Sequence, residues 1–377
     1  MPSPHSQRQL QYLTPWFEDV SAGRLDSLGV TGGFSGAIVW RVSMPGSQLC
    51  LRRWPQVHPS LNGLLAIHGL LKHVATAGFD LVPVPLNTRY GESYFVHEDH
   101  LWELTPWLPG EASFAQQPST AKLTAATRAL AKFHQAAQSY SFQGESACVA
   151  PSQGLRERLS MIGNLQQGEL QQLWKATRTA EASDLRELAF ELLEAIGHSV
   201  GPVGARLQEI VHLPLPLQWC LRDVRHDHVL FQGEEVSGLL DFGAVAVDSV
   251  AADIARLLGS IAHDQPECWQ AGIDAYCQER PLNLEERRAI ASFDQGGLIC
   301  SATNWVRWLF VEERSFPQIH ALHDQLIWLR DRLRALAARS SASVGEQLAG
   351  PSWERTPPGQ AASGGPQHSQ SSPWMHT

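Results

Sequence analysis

Two aspartates carry the chemistry that this sequence could perform. Asp223 lies in LQWCLRDVRHDHVLF and Asp241 in VSGLLDFGA, 18 positions later from 223 to 241, with the turn QGEE between them. The β-branched and aromatic residues on either side of that turn read as strand, turn, strand, so the two strands offer two carboxylates. Phosphoryl transfer asks for little more: a carboxylate near the attacking hydroxyl, oxygen ligands for a divalent cation and positive groups on the phosphates. Asp-Phe-Gly alone also has a plainer reading, a turn at a strand end stabilised by its Asp.

The spacing narrows the choice. Leu221-Arg222-Asp223 is followed five positions after the Asp by His228, parallel to the kinase string H-R-D-x-x-x-x-N, and Asp241-Phe242-Gly243 reproduces D-F-G. Together these residues resemble the aminoglycoside phosphotransferase and choline kinase family of kinase-like enzymes, whose usual string is close to HGDxxxxN, then a hydrophobic strand, a turn and I-D-[FW]-[GE]. The resemblance runs from about Leu28 to Leu336. It implies an ATP-dependent phosphotransferase that moves the γ-phosphate to a small-molecule hydroxyl, with ATP and Mg2+, or Mn2+, as cofactors. It implies Asp223 as the catalytic residue that orients or deprotonates the hydroxyl, and Asp241 and His228 as metal ligands. Asp253, in DIARLL, matches a family acidic position expected to support the active-site loop. Two departures stand out. Leu221 replaces the family His, and His228 replaces an Asn with an imidazole, which suits softer metals than magnesium. Asp227 could add an oxygen, but neighbours in an extended segment point to opposite sides.

On the nucleotide side, VTGGFSGAIVWRV fits a hairpin over phosphates: Gly32, Gly33 and Gly36 allow close backbone approach and the Ser35 hydroxyl can donate. The next strand, SQLCLRRWP, has no Lys, so Arg52 takes the phosphate-binding place by register, a planar fork for a compact ammonium. The segment from Ser60 to Gly78 contains no Asp or Glu to pair with that cation, and its His68 reads as a core histidine or as a neutral acceptor for Arg52. Glu103-Leu104-Thr105-Pro106 matches the family hinge, whose backbone groups pair with adenine, although Pro106 has no N–H. Acceptor-facing candidates are Asn304, Trp305, Arg307, Trp308 and Glu312 to Arg314, although tryptophans at such spacing are more often core and a charged run is usually a solvated face. No acidic cleft for an aminoglycoside is evident, so antibiotic resistance does not follow. The same departures allow a second reading, a pseudokinase that binds or regulates without turnover, and a third, transfer of an adenylyl group to a protein.

The elements that must position these residues come in a clear order: strands, one helix from Ser60 to Ala77, two more short strands, then mostly helix from Thr120 on. That order gives an α+β chain, and the resemblance makes it a protein-kinase-like two-lobed fold, a small antiparallel sheet lobe before a larger helical one. With 377 residues and 43% hydrophobic content, two packed lobes are expected, at 1–106 and 107–339. The Ser, Gly, Pro and Gln of residues 340–377 predict a disordered tail. A net charge of -9 argues against a broad electrostatic grip on nucleic acid or anionic lipid, so the expected partner is a small polar molecule, with no nucleic acid and no membrane. Six cysteines without a CxxC pair are expected to be reduced and buried. No signal peptide or spanning segment is evident, which predicts a cytoplasmic protein.

Overall fold

The computed structural model describes residues 10–29, 36–316 and 318–342. Gly32, Gly33 and Ser35, and the tail beyond residue 342, lie outside the described residues. Strands β1 (Arg24–Gly29), β2 (Ile38–Met44), β3 (Ser47–Arg53), β4 (Phe95–His97) and β5 (His100–Pro106) form an antiparallel sheet in the order β1-β2-β3-β5-β4. Strands β2 and β3 form a hairpin that turns at Gly46, at a φ of +77°. Trp40, Val42, Leu49, Leu51, Trp102 and Leu104 bury one face of this sheet against Leu10, Leu13 and Trp16. Strand alternation then sends Arg52 and Glu103 to the other face, where the β3–β5 register sets them side by side.

Helix α1 (Leu61–Thr76) starts where the Ser60 hydroxyl accepts from the Gly63 N–H. Its Leu64, Ile67, His68, Leu71 and Val74 repeat at helical spacing on the buried side. The apolar part of this face packs into the core of the helical lobe rather than that of the sheet. That lobe contains α2 (Thr120–Ala137), α3 (Gln153–Asn164), α4 (Leu170–Thr179), α5 (Asp184–Ile210), α6 (Val250–Ile261), α7 (Pro266–Glu279), α8 (Leu284–Phe310) and α9 (Ile319–Ala342). The helical pattern from Leu155 to Ile210 is not continuous. It breaks at a π turn, Leu165–Glu169, where Gly168 adopts a φ of 127°, and again before the cap at Ser183.

Short strands are set into these helices. β6 (Cys148–Ala150), β7 (Leu215–Cys220) and β10 (Ala246–Asp248) pair in the order β10-β7-β6, and β8 (Val229–Gln232) forms a hairpin with β9 (Glu235–Leu239). At three residues each, β6 and β10 are too short to show an alternating pattern in sequence. Where the chain leaves the sheet, Glu111 exchanges backbone hydrogen bonds with Phe231 at 3.0 and 2.8 Å. Gly110 makes this approach feasible: at a φ of +94°, an added Cβ would lie 2.6 Å from the Phe231 carbonyl oxygen.

The expectation of buried cysteines needs correction. Cys220 is buried, Cys148 is exposed because β6 lies at a sheet edge, and the other four are half-buried; all six are free thiols. No described helix is long and apolar enough to cross a membrane.

Candidate active site

Asp223 follows β7 by three residues and Asp241 follows β9 by two. The loop after β7 is fixed from below by Asp253, on the first turn of α6. Its fully buried carboxylate accepts from the backbone N–H groups of Leu221 at 2.7 Å and Arg222 at 2.6 Å. His134 on α2 adds a third contact, from Nε2 at 2.9 Å, while its Nδ1 lies 2.7 Å from the Tyr276 hydroxyl. Burial, working against the bond to Asp253, holds the His134 pKa below its usual value. Leu221 is a fully buried leucine, and the imidazole that reaches this loop comes from α2 instead. Arg222, next to Asp223, and Asp241 have φ values of 64° and 60°, a region that non-glycine residues occupy at a cost of roughly 1–3 kcal/mol each.

His228 links the two aspartates. Its Nδ1 lies 2.8 Å from the Asp223 carbonyl oxygen, which can only accept, so that nitrogen carries the proton. In the neutral ring the lone pair is then on Nε2. This nitrogen lies 3.3 Å from an Arg225 amino group and 3.5 Å from Asp241 Oδ2. The Leu240 N–H donates to the His228 carbonyl at 2.8 Å, which sets Asp241 beside that ring. Residues His226–His228 form a 3-10 turn rather than an extended strand. The sequence argument that Asp227 points away therefore fails, because Asp227 Oδ1 lies 3.8 Å from His228 Nε2. Burial tends to raise the Asp227 pKa, but Arg225 and the neighbouring histidines outweigh it and hold the carboxyl below its ordinary value.

Toward the sheet, Arg52 stacks over Trp54 at 4.8 Å and lies 3.5 Å from Glu103 Oε1. The other Glu103 oxygen lies 2.7 Å from His68 Nε2, and His68 Nδ1 lies 2.7 Å from the Ser93 hydroxyl. The partner carboxylate for Arg52, missing from α1, thus comes from β5, and α1 contributes the histidine that holds it. Burial tends to raise the Glu103 pKa, but the His68 bond and the Arg52 charge together keep it below the usual carboxylate range. Burial disfavours the Arg52 cation, while Glu103, Cys50 and Asp241 favour it and raise its pKa overall. Trp54 in turn packs on Gly243, whose added Cβ would lie 3.4 Å from the indole, and His58 Nε2 lies 2.9 Å from the Gly243 carbonyl oxygen.

Glu103 was expected to offer its backbone to adenine; its side chain faces Arg52 and His68. The Leu104 carbonyl already accepts from the Leu86 N–H at 2.8 Å, and Thr105 pairs with Cys50 across β3 and β5. Gly36 has a φ of +79°, and an added Cβ would lie 3.9 Å from Pro55 Cβ.

Residues 28–290 match the profile of the phosphotransferase enzyme family. The chain belongs to that family. It is an ATP-dependent small-molecule phosphotransferase with a kinase-like fold. A homoserine kinase of Rhodopseudomonas palustris (strain ATCC BAA-98 / CGA009) is 25% identical over 257 residues, 65% of this chain and 68% of the relative. The solved aminoglycoside phosphotransferase from Alicyclobacillus acidocaldarius superposes with a TM-score of 0.60 at 16% identity, covering 88% of this chain and 95% of that one. An amicoumacin kinase in complex with AMP-PNP, Ca2+ and Ami gives a TM-score of 0.60 at 13% identity, covering 87% and 94%.

On the other side of Asp223, this phosphotransferase has a cavity of about 300 Å³ between α3, α6, α8 and α9. Arg256 donates from Nε to Asp223 Oδ1 at 2.8 Å at its edge. Of the acceptor-side candidates, Asn304 lines the cavity and is oriented by Arg307, which donates to its Oδ1 at 2.7 Å and pairs with Glu169. Trp305 is buried against Trp308 and Phe316, and Glu312 and Arg314 pair with each other in solvent. Sequence reasoning missed the lining residues Arg158, Arg256, Asp294 and Arg332. One signal was available: Asp294, Gly297, Leu298 and Ser301 repeat at i, i+3, i+4 and i+7 along α8.

The Arg52–Glu103 pair carries a prediction. Glu103→Gln keeps the shape but removes the charge, and is expected to raise the KM for ATP about tenfold, equivalent to ~1.4 kcal/mol, with the acceptor KM unchanged. Steady-state kinetics varying each substrate in turn checks it. An unchanged ATP KM would mean that the pair has no part in nucleotide binding.

Proposed function

We propose that this enzyme transfers the γ-phosphoryl group of ATP to the hydroxyl of a compact molecule held in the cavity beside Asp223. Asp223 orients the hydroxyl and takes its proton as the new O–P bond forms and the bond to the ADP oxygen breaks. Arg52 draws charge from the phosphates on the sheet side. The observation that carries the reading is the His228 ring, 2.8 Å from the Asp223 backbone on one side and 3.5 Å from the Asp241 carboxylate on the other. It supports a shared role for the two aspartates by linking them through one side chain. At about 300 Å³, the cavity is at the small end of the ~300–1,000 Å³ usual for ligand sites, which favours a compact acceptor over a multi-ring one. The similarity to homoserine kinases supports the same size class.

The residues fit a divalent cation. Two ligands each ~2.1 Å from one ion lie roughly 3.0–3.5 Å apart, and Asp241 Oδ2 and His228 Nε2 meet that separation. Asp241 and His228 would hold the ion, which would neutralise phosphate oxygens. An oxygen and an imidazole nitrogen suit Mn2+ at least as well as Mg2+. The reading as a module without turnover loses one of its grounds, the missing acidic partner, since Arg52 has a carboxylate beside it in Glu103.

The test is thermal denaturation with AMP-PNP and either Mg2+ or Mn2+, comparing the native chain with Asp241→Asn. At ligand near 100 times Kd, stabilisation of about 2.7 kcal/mol is expected for the native chain and its metal-dependent part is expected to vanish in the variant. No shift with either metal would sink the reading.

A further inference from the structure

The cavity beside Asp223 holds one cation without a carboxylate partner. Arg158, on α3, donates from Nε to the Phe293 carbonyl at 3.2 Å and from Nη1 to the Gly154 carbonyl at 2.9 Å. Its guanidinium stacks on the Phe293 ring at 4.9 Å. Among the described residues, no carboxylate oxygen approaches it within 4.0 Å, and Nη2 has no hydrogen-bond partner. Burial accordingly works against its charge. The other arginines of the cavity are matched: Arg222 with Glu157 and Asp248, Arg256 with Asp223, and Arg332 with Asp294 and Asp264.

Helix α8 makes room for this arrangement. An added Cβ at Gly296 would lie 3.0 Å from Arg158 Cδ, and one at Gly297 would lie 3.7 Å from Nη2. A glycine inside a helix costs about 1 kcal/mol relative to alanine, and here Gly296 leaves the Arg158 stem the space that a Cβ would crowd. Each of the other arginines there is paired with one acid or two, which leaves Arg158, among the described residues, as the cavity arginine without an ion pair within 4.0 Å and with a free donor. One guanidinium edge with a free donor is well shaped for one carboxylate.

We propose that the acceptor is a compact alcohol bearing a carboxylate, and that Arg158 holds that carboxylate. The inference rests on the phosphotransferase reading above, but its binding test does not. The full chain, with and without AMP-PNP and Mn2+, is titrated by calorimetry with matched pairs that differ in the anion: homoserine and 3-aminopropan-1-ol, 3-hydroxypropanoate and propane-1,3-diol, and glycerol 3-phosphate and glycerol. The carboxylate-bearing member of at least one pair is expected to bind roughly tenfold tighter than its partner, comparable to one charge-assisted hydrogen bond. Arg158→Gln removes that difference without weakening the uncharged partner, and Arg158→Lys, which keeps charge and stem, falls between; melting curves verify that both variants fold. Equal or absent binding within the carboxylate pairs, or a preference for the phosphate ester, overturns the proposal. So does discrimination that survives in Arg158→Gln. Phosphorylation is measured separately on the same compounds. Discrimination without transfer keeps the subsite and sinks the functional reading, whereas transfer without discrimination does the reverse.

Discussion

Replacing Asp223 by Asn is expected to lower kcat by about 10²–10⁴-fold, the usual contribution of a positioned acid or base, while leaving the KM for ATP within about threefold. Asn matches Asp in shape and still offers an oxygen to Arg256, whose Nε donates to Asp223 Oδ1 at 2.8 Å. The loop backbone is held elsewhere, through Asp253, so neither the fold nor the nucleotide side has reason to change. What disappears is the negative charge next to the acceptor cavity. A kcat within tenfold of the native value would mean that the hydroxyl loses its proton to another group, and the transfer step would need a new assignment. Steady-state rates with melting temperatures for both proteins decide between a chemical and a structural loss.

Much of this arrangement could be read from the chain, and the rest could not, for identifiable reasons. The aspartates sit within one short segment, where spacing along the chain nearly fixes spacing in the fold. Arg52 could be picked by strand alternation, because Leu51 beside it had to face a core. Its partner Glu103 was out of reach, since the pairing depends on the register of two strands fifty residues apart, and a sequence carries no direct record of register. His134 was hidden for the same reason. It meets Asp253 from 119 positions away, and on its own helix it looks like any buried histidine. Asp227 was misread because a single 3-10 turn replaced the extended backbone on which the argument depended. Arg158 was invisible for a different reason: a lone arginine on a helix reads as solvated surface until a glycine pair on another helix is known to face it.

Asp253 gives the largest expected loss of stability. Its carboxylate gathers three donors in a fully buried position, two of them the consecutive backbone N–H groups that lead into Asp223. Asn at this position has one acceptor oxygen and one NH2, so at least one of those donors would face another donor with no water to replace the lost partner. Breaking a buried charge network in this way costs about 3–5 kcal/mol. At ~2–4 °C per kcal/mol, Asp253→Asn should melt roughly 6–20 °C below the native chain. Turnover should fall as well, because Arg222 depends on the Asp253 bond to its N–H to hold a φ of 64°. A loop that relaxes from that conformation carries Asp223 and its carbonyl away from His228. A variant melting within about 2 °C of the native protein would show that the loop is held by its own packing, with Asp253 dispensable. The expected result would instead make the α6 carboxylate the point where the stability of the helical lobe and the geometry of the active site meet.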